Sequence, residues 1–369
     1  MGKVRVLVVD DSVVIRRLLT DVLNADPAIE VAGHASNGKL ALQRLTQIQP
    51  DVVVMDVEMP EMNGIEALVE MRKTHKRLPV IMFSTLTTQG GAATLDALAK
   101  GATDYVAKPA NVGSVQAAIA KVRDELTPKV RALGGAPQPN ETPQATAAAA
   151  PKPVLPPVRK PSLAAGRVEV LAIGVSTGGP NALAELVPAL PGDLGVPVVI
   201  VQHMPPLFTK LLAERLDRES TLHVVEGAAG MAVEPNVVYV APGDYHMTVS
   251  GRAPGTRLVT NQDPPENSCR PAVDVLFRSV ASVYGSHALA VVLTGMGKDG
   301  LRGSEVLCEA GSEVLAQDEA SSVVWGMPGF VARAGLASAV LPLKDIAPEI
   351  TRRTKPTIGG VRRPVPVSR

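Results

Sequence analysis

The stretch VRVLVVDD at residues 4–11 decides the fold of the N-terminal part of the chain. Its continuous apolar run, ended abruptly by two acids, is typical of a strand that is buried on both faces of a parallel sheet. Further strand patterns and helix-period segments alternate with each other after it. The strands are predicted at 29–35, 52–55, 80–83 and 104–107, and two of the helices at 13–23 and 40–48. This alternation predicts βαβ units in a doubly wound α/β domain.

The same alternation returns in the C-terminal half, from Arg167 onward. Strands are predicted at 169–173, 198–202, 288–293 and 313–316, and helices at 182–189, 208–216, 272–283 and 301–310. The interval 237–260 differs, because Pro-Gly turns separate its three apolar runs. Turns at this spacing are typical of antiparallel strands. We therefore predict a second doubly wound parallel-sheet domain that contains an antiparallel excursion.

A change in composition separates the two halves. The chain has 369 residues, which is long for a single core. Residues 127–166 consist mainly of Pro, Ala, Gln, Thr and Gly, a composition that is typical of an extended linker. We predict a first domain at 1–126, the linker at 127–166, a second domain at 167–354 and a basic tail at 355–369.

The composition also excludes several classes of function. Aromatic residues make up only 2% of the chain and the formal net charge is +1, so neither base stacking nor a basic surface favours binding to nucleic acid. The two cysteines are too few for a disulfide framework. No export signal or bilayer-spanning apolar run is visible. We expect a cytoplasmic protein that does not insert into membranes.

Polar residues follow the predicted strands of the first domain. Asp10 and Asp11 come after the first strand, Asp56 after the third, Ser84 after the fourth and Lys108 after the fifth. The carboxyl ends of parallel strands meet at one edge of a sheet, so these side chains should converge. Three clustered carboxylates favour Mg²⁺, and Asp56 could attack phosphorus with Lys108 as the cationic partner. Taken singly, each acid is more often a helix cap or a solvated loop residue than a functional group.

The segment GVSTGG at 174–179 follows a strand and precedes a helix. It matches the G-x-S-x-G nucleophile elbow, in which a tight turn exposes the serine hydroxyl. A glycine-rich turn that opens a helix can instead hold the phosphates of a nucleotide. The motif alone leaves a nucleophile at Ser176 and a phosphate-binding loop about equally supported.

A serine nucleophile needs a base and an orienting acid. His203 directly follows a predicted strand, whereas His223 and His287 precede strands. Asp299 follows another strand within the glycine-rich segment LTGMGKDG at 293–300. Ser176, His203 and Asp299 would then reach one sheet edge. The other candidates are His246 for the base and Asp244, Asp274 and Asp318 for the acid.

Residues 3–125 resemble two-component receiver domains, which have a flavodoxin-like fold. The resemblance rests on the residues Asp10-Asp11, Asp56, Met59-Pro60, Gly64, Ser84, Tyr105 and Lys108-Pro109. It implies that Asp10, Asp11 and Asp56 bind Mg²⁺ and that Asp56 accepts a phosphoryl group from a histidine kinase. It also implies that Ser84, Tyr105 and Lys108 are the switch residues that respond to phosphorylation of Asp56.

Residues 168–350 resemble the catalytic domain of chemotaxis protein-glutamate methylesterases. The resemblance rests on the segments VSTGGP (175–180), VQHM (201–204), CRPAVDVLF (269–277) and LTGMGKDG (293–300). It implies Ser176 as nucleophile, His203 as base and Asp299 as orienting acid, with the Met296 N–H at the oxyanion and Thr177 close to the nucleophile. The esterase reaction would need no cofactor.

Together the two resemblances imply a phosphorylation-activated enzyme. Its substrates would be glutamyl γ-methyl esters on the cytoplasmic helices of chemoreceptors, and receptor glutamines could be deamidated through the same intermediate. A chemotaxis histidine kinase would be the phosphodonor, and the unphosphorylated receiver would cover the active site. Arg270 and Arg278 are candidates for binding the acidic substrate helix. The alternative is a receiver joined to a nucleotide-binding or purely interacting domain.

Overall fold

The computed structural model describes residues 2–109, 114–136, 167–252 and 255–355. These residues form two α/β domains, each built on its own parallel sheet. The predicted fold class is therefore confirmed. Among the described residues, no helix has both the length and the apolar character that crossing a bilayer requires.

The first domain alternates five strands with five helices. The strands are β1 (Val4–Val9), β2 (Ile29–Ala35), β3 (Val52–Asp56), β4 (Val80–Ser84) and β5 (Asp104–Ala107). The helices are α1 (Val13–Asn24), α2 (Gly38–Ile48), α3 (Gly64–Thr74), α4 (Thr88–Ala99) and α5 (Val115–Leu133). The sheet order is β2-β1-β3-β4-β5, with every pair parallel. All residues of β3 and β4 are buried, as their apolar sequences require.

The second domain is larger. Its strands are β6 (Val170–Val175), β7 (Val198–Gln202), β8 (His223–Glu226), β9 (Val237–Val240), β10 (His246–Ser250), β11 (Arg257–Asn261), β12 (Ala288–Val292), β13 (Glu313–Gln317) and β14 (Ala339–Leu341). Its helices are α6 (Gly179–Leu186), α7 (Phe208–Glu219), α8 (Val273–Tyr284), α9 (Leu301–Glu309), α10 (Met327–Arg333) and α11 (Leu343–Thr354). Seven strands form one parallel sheet in the order β14-β13-β12-β6-β7-β9-β8. Strands β10 and β11 form a separate antiparallel pair.

Two sequence-based predictions need correction. The run at 237–241 was assigned to the antiparallel excursion, but β9 pairs in parallel with both β7 and β8. The turn signals after it led to the wrong assignment, because they end a strand of the main sheet instead of joining a hairpin. Helix α5 also continues to Leu133, past the boundary predicted at residue 126. Most of the predicted linker and tail, at 137–166 and 356–369, lies outside the described residues.

The two domains contact each other through α4 and β5 of the first and α6 and α7 of the second. The ring of Tyr105 stacks on that of Phe208, with centroids 4.9 Å apart and planes 2° apart. The Arg215 guanidinium donates to the carbonyl of Leu95 at 3.1 Å. Because Tyr105 and Phe208 are both buried, an apolar core continues from one domain into the other.

Candidate active site and phosphorylation site

Three polar residues of the second domain lie at the carboxyl ends of neighbouring strands. Ser176 follows β6, His203 follows β7, and Asp299 comes after β12. Strand β6 lies between the other two, at the point where the chain changes direction across the sheet. Open parallel sheets bind their ligands at such a point, so the topology alone brings the three side chains together.

The three side chains form a continuous chain of hydrogen bonds. Nδ1 of His203 lies 3.1 Å from the Oγ of Ser176, and Nε2 lies 2.8 Å from Oδ2 of Asp299. With its proton on Nε2, the ring donates to the carboxylate and accepts the serine proton at Nδ1. The roles of the two ring nitrogens are thus the reverse of those in the Ser-His-Asp proteases, although the connectivity is the same.

Asp299 is held by backbone amides as well as by the histidine. It is 2% exposed, and it accepts from the N–H groups of Val273 at 2.7 Å, Asp274 at 3.0 Å and Gly300 at 3.0 Å. Burial by itself would raise the pKa of Asp299, but His203 and the N–H groups of Val273 and Asp274 lower that pKa to about 2. The carboxylate therefore stays charged at any physiological pH, as an orienting acid must.

Opposing effects act on the pKa of His203. Burial disfavours the positive charge, but Cys269 and the Asp299 carboxylate outweigh burial and raise that pKa. The Sγ of Cys269 lies 3.5 Å from the same Nδ1 that faces Ser176. Asp299 stays charged, so its contribution is permanent. Asp299 therefore stabilises the imidazolium that forms when the serine loses its proton.

The turn that carries Ser176 depends on two glycines and on Gln202. Gly178 has φ +75°, a backbone conformation that is strained for a residue with a side chain. A Cβ on Gly179 would lie 1.9 Å from Oε1 of Gln202, so only glycine fits. The Gln202 amide donates to the carbonyls of Ser176 at 3.1 Å and His203 at 3.0 Å. Gln202 thus ties the nucleophile turn to the base, a role for which the sequence carries no signal.

Thr177 and Met296 lie on the two segments that border the nucleophile. Thr177 is buried, and its carbonyl accepts from the Oγ1 of Thr294 at 2.9 Å. Gly295 approaches Ser176 so closely that a Cβ there would lie 2.8 Å from the serine Cβ. Met296 is the next residue in that segment. The predicted oxyanion role of Met296 stays a prediction.

The predicted phosphorylation site lies at the corresponding edge of the first domain. The Nζ of Lys108 lies 2.8 Å from Oδ2 of Asp56 and 3.1 Å from Oδ2 of Asp10. Burial raises the pKa of Asp56 to about 6, against the opposing effect of Lys108. Asp56 lines a cavity of about 480 Å³ together with Asp11, Ser84 and Lys108.

The acidic cluster fits the predicted magnesium ion. Asp10, Asp11 and Asp56 each offer a carboxylate oxygen, and these oxygens all lie within 4.8 Å of one another. Hard oxygen donors that leave room for water and for a phosphoryl oxygen suit Mg²⁺. The residue types and their spacing are therefore those that this ion needs.

The two predicted switch residues occupy different surroundings. The Oγ of Ser84 donates to the carbonyl of Gly90 in α4 at 3.1 Å, at the wall of the Asp56 cavity. Tyr105 points away from that cavity and stacks on Phe208 of the second domain. Ser84 therefore links the phosphorylation site to α4, and Tyr105 belongs to the contact between the domains.

Comparison with known proteins matches two separate parts of the chain. Residues 171–350 match the family model for CheB methylesterase, and residues 6–120 match that for the response regulator receiver domain. A protein-glutamate methylesterase/protein-glutamine glutaminase of Nocardioides sp. (strain ATCC BAA-499 / JS614) is 54% identical over 359 residues, with 96% of each chain covered. That of Trichodesmium erythraeum is 48% identical and covers 96% of this chain and 99% of its own. This chain belongs to the protein-glutamate methylesterase/protein-glutamine glutaminase family.

Solved structures match the same two parts of this chain. The Thermotoga maritima CheB methylesterase catalytic domain is 41% identical, covering 51% of this chain and 99% of that one, with a TM-score of 0.49. The response regulator domain of Thermotoga maritima CheB is 40% identical, covering 37% of this chain and 99% of that one, with a TM-score of 0.33.

The arginines predicted to bind substrate have other partners in the structure. Arg270 pairs with Asp244 at 2.6 Å, and Arg278 pairs with Glu266 at 2.6 Å. Each guanidinium is thus already matched to a carboxylate of its own domain. The pairing also removes Asp244 as a rival to Asp299, and Asp318 instead bonds the hydroxyl of Ser321 at 2.6 Å.

Proposed function

We propose that this chain hydrolyses glutamyl γ-methyl esters on chemoreceptors and that phosphorylation of Asp56 activates it. The observation that carries the proposal is the hydrogen-bonded chain Ser176–His203–Asp299 at the edge of the larger sheet. Family membership supports the substrate class, since the relatives are named for this ester and for glutamine. The alternative, a nucleotide-binding or purely interacting domain, gains no support from the comparisons.

The geometry supports a two-step acyl transfer. The Oγ of Ser176 attacks the ester carbonyl carbon while its proton moves to Nδ1 of His203. The tetrahedral intermediate expels methoxide, which takes that proton and leaves as methanol. Water then attacks the acyl-enzyme with His203 again as base, and this step releases the glutamate side chain and the free serine. A glutamine side chain would follow the same steps with ammonia as the leaving group.

Phosphorylation is the proposed input. The Asp56 carboxylate would attack the phosphorus of a kinase phosphohistidine, with Lys108 next to it to pair with the transferred group. Mg²⁺, held by Asp10, Asp11 and Asp56, would supply charge neutralisation of the phosphoryl oxygens. The enzyme would meet both the kinase and the receptor helices in the cytoplasm.

The decisive measurement is methanol release from methylated receptor membranes. We expect the wild-type chain to release methanol and to do so faster with Mg²⁺ and a small acyl-phosphate donor. Absence of release under both conditions would exclude the esterase proposal. Release that the donor leaves unchanged would retain the esterase and exclude its control by phosphorylation.

The contact between the domains is the proposed brake. Phe208 begins α7, and the loop before it starts at His203, so the stacking on Tyr105 holds the segment that directly follows the catalytic base in the chain. Phe208→Leu keeps an apolar side chain but removes the stacking on Tyr105. Aromatic stacking contributes about 0.5–1.5 kcal/mol in addition to the free energy of burying the apolar area. This energy corresponds to a change of roughly 2- to 10-fold in the population of separated domains. We therefore expect basal methanol release, without phosphodonor, to rise about 2- to 10-fold.

A matched control is Phe277→Leu. Phe277 is equally buried but lies in α8 of the catalytic domain. This variant tests whether any loosened core raises the basal rate. A basal rate that rises as much in Phe277→Leu as in Phe208→Leu, or that does not rise in Phe208→Leu, contradicts the brake.

A further inference from the structure

A second buried carboxylate lies next to the orienting acid of the triad. Asp274, in the first turn of α8, is 1% exposed, and Asp299 is 2% exposed. The Oδ1 of Asp274 accepts from the N–H of Gly303 at 2.6 Å. Two carboxylates in such a site repel each other unless a donor between them offsets the repulsion. A position in the first turn of a helix accounts for the presence of Asp274, but it does not account for two buried carboxylates side by side.

The donor between the two acids is the side-chain amide of Asn267. Its Nδ2 lies 2.9 Å from Oδ2 of Asp274 and 2.9 Å from Oδ1 of Asp299. An amide nitrogen carries two hydrogens, so it can donate to both carboxylates at once. Oδ1 of Asp299 thus accepts from Asn267 as well as from the N–H groups of Asp274 and Gly300, while Oδ2 accepts from Val273 and faces Nε2 of His203.

The backbone around Asn267 is held in an unusual turn. Asn267 and Ser268 have φ values of +51° and +63°, which residues other than glycine adopt rarely. Glu266 and Cys269 exchange backbone hydrogen bonds at 3.1 and 2.9 Å across them, as in a two-residue turn with both central residues left-handed. Glu266 is further tied to α8 by Arg278. The turn is therefore fixed to the helix that carries Asp274.

We propose that Asn267 is a positioning residue that acts through Asp299, with Asp274 as its anchor. The amide holds Oδ1 of Asp299 and so presents Oδ2 to His203 in the geometry that the esterase reaction needs. Asp274 accepts the other hydrogen of the amide and fixes its orientation. The inference rests on the proposed esterase function, because it assigns Asn267 to that same triad.

The first test is Asn267→Ala, assayed as methanol release at a series of methylated-receptor concentrations. Loss of a hydrogen bond to a charged group is expected to lower kcat about 10- to 100-fold, with KM unchanged. The effect falls on kcat because Asp299 acts on the imidazolium that forms in the transition state. Asn236→Ala is the matched control, since Asn236 also has a positive φ, +64°, and its side chain bonds Gly195 instead.

The second test exchanges the two groups. Asn267→Asp keeps the size and the turn preference of the residue but replaces the donor with a third carboxylate, and we expect kcat to fall further than in Asn267→Ala. Adding Asp274→Asn returns the cluster to one amide and two carboxylates, with the amide now at position 274. We expect the double variant to recover at least about 10-fold over Asn267→Asp, a coupling that independent sites do not show.

The outcomes separate this inference from the proposed function. Wild-type chain that releases no methanol excludes the function itself. With an active wild type, unchanged kcat in Asn267→Ala, or a drop of equal size in Asn236→Ala, overturns the positioning role. Failure of the double variant to recover over Asn267→Asp, with all variants showing cooperative melting, overturns the anchoring by Asp274.

Discussion

Ser176→Ala is expected to reduce methanol release by about 10⁶-fold in kcat, the scale at which removal of a triad nucleophile leaves only binding and electrostatic effects. Alanine removes the Oγ that lies 3.1 Å from His203 and that would form the acyl bond. It also leaves the turn intact, because the Ser176 N–H still donates to Thr294 and its carbonyl still accepts from Gln202. The measurement is methanol release from methylated receptor membranes in the presence of phosphodonor.

Ser322→Ala is a suitable control for this loss. Ser322 lies in the loop that follows β13, and its hydroxyl donates to the carbonyl of Asp318 at 2.7 Å. We expect this variant to keep most of the wild-type rate, and both variants to accept phosphoryl at Asp56 as the wild type does. Substantial release by Ser176→Ala would contradict the acyl-enzyme mechanism and return Ser176 to the role of a phosphate-loop residue.

Periodicity and strand-end position predicted most of the fold and the principal site residues. A parallel sheet has one edge at which its strands end, so Ser176, His203 and Asp299 could be assigned to one place without coordinates. The same argument grouped Asp10, Asp56 and Lys108. Their distances in the structure agree with that placement.

Other features depend on contacts that no local pattern encodes. Gln202 ends a buried strand and bridges two loops, and Asn267 meets its two acids through a left-handed turn. Asp274 was a candidate for the orienting acid from its sequence position, but its burial beside Asp299 depends on how α8 and α9 pack. The prediction that β9 is antiparallel was wrong, because turn residues mark where a strand ends and carry no information on its partner.

Asp56→Asn is expected to abolish phosphoryl transfer to the chain and with it any response of methanol release to phosphodonor. Asparagine is nearly the same size as aspartate, but it lacks the carboxylate that attacks phosphorus. Its Oδ1 can still accept from the N–H of Val57, a bond of 2.8 Å in the wild type. Lys108 keeps its ion pair with Asp10 at 3.1 Å, so the cavity should retain its shape. Intact-mass analysis and methanol release, each with and without donor, measure both effects.

Asp51→Asn is the matched control, since Asp51 lies just before β3 and bonds the Arg5 N–H at the opposite end of the sheet. It should be phosphorylated and activated as the wild type is. The basal rate of Asp56→Asn tests the proposed brake, and its response to donor tests the site of phosphorylation. If the resting contact between Tyr105 and Phe208 restrains the enzyme, Asp56→Asn stays at the wild-type basal rate, and adding Phe208→Leu raises that rate without donor. If Asp56→Asn still responds to donor, the activating phosphate lies elsewhere, and Asp56 loses its place as the input to Ser176.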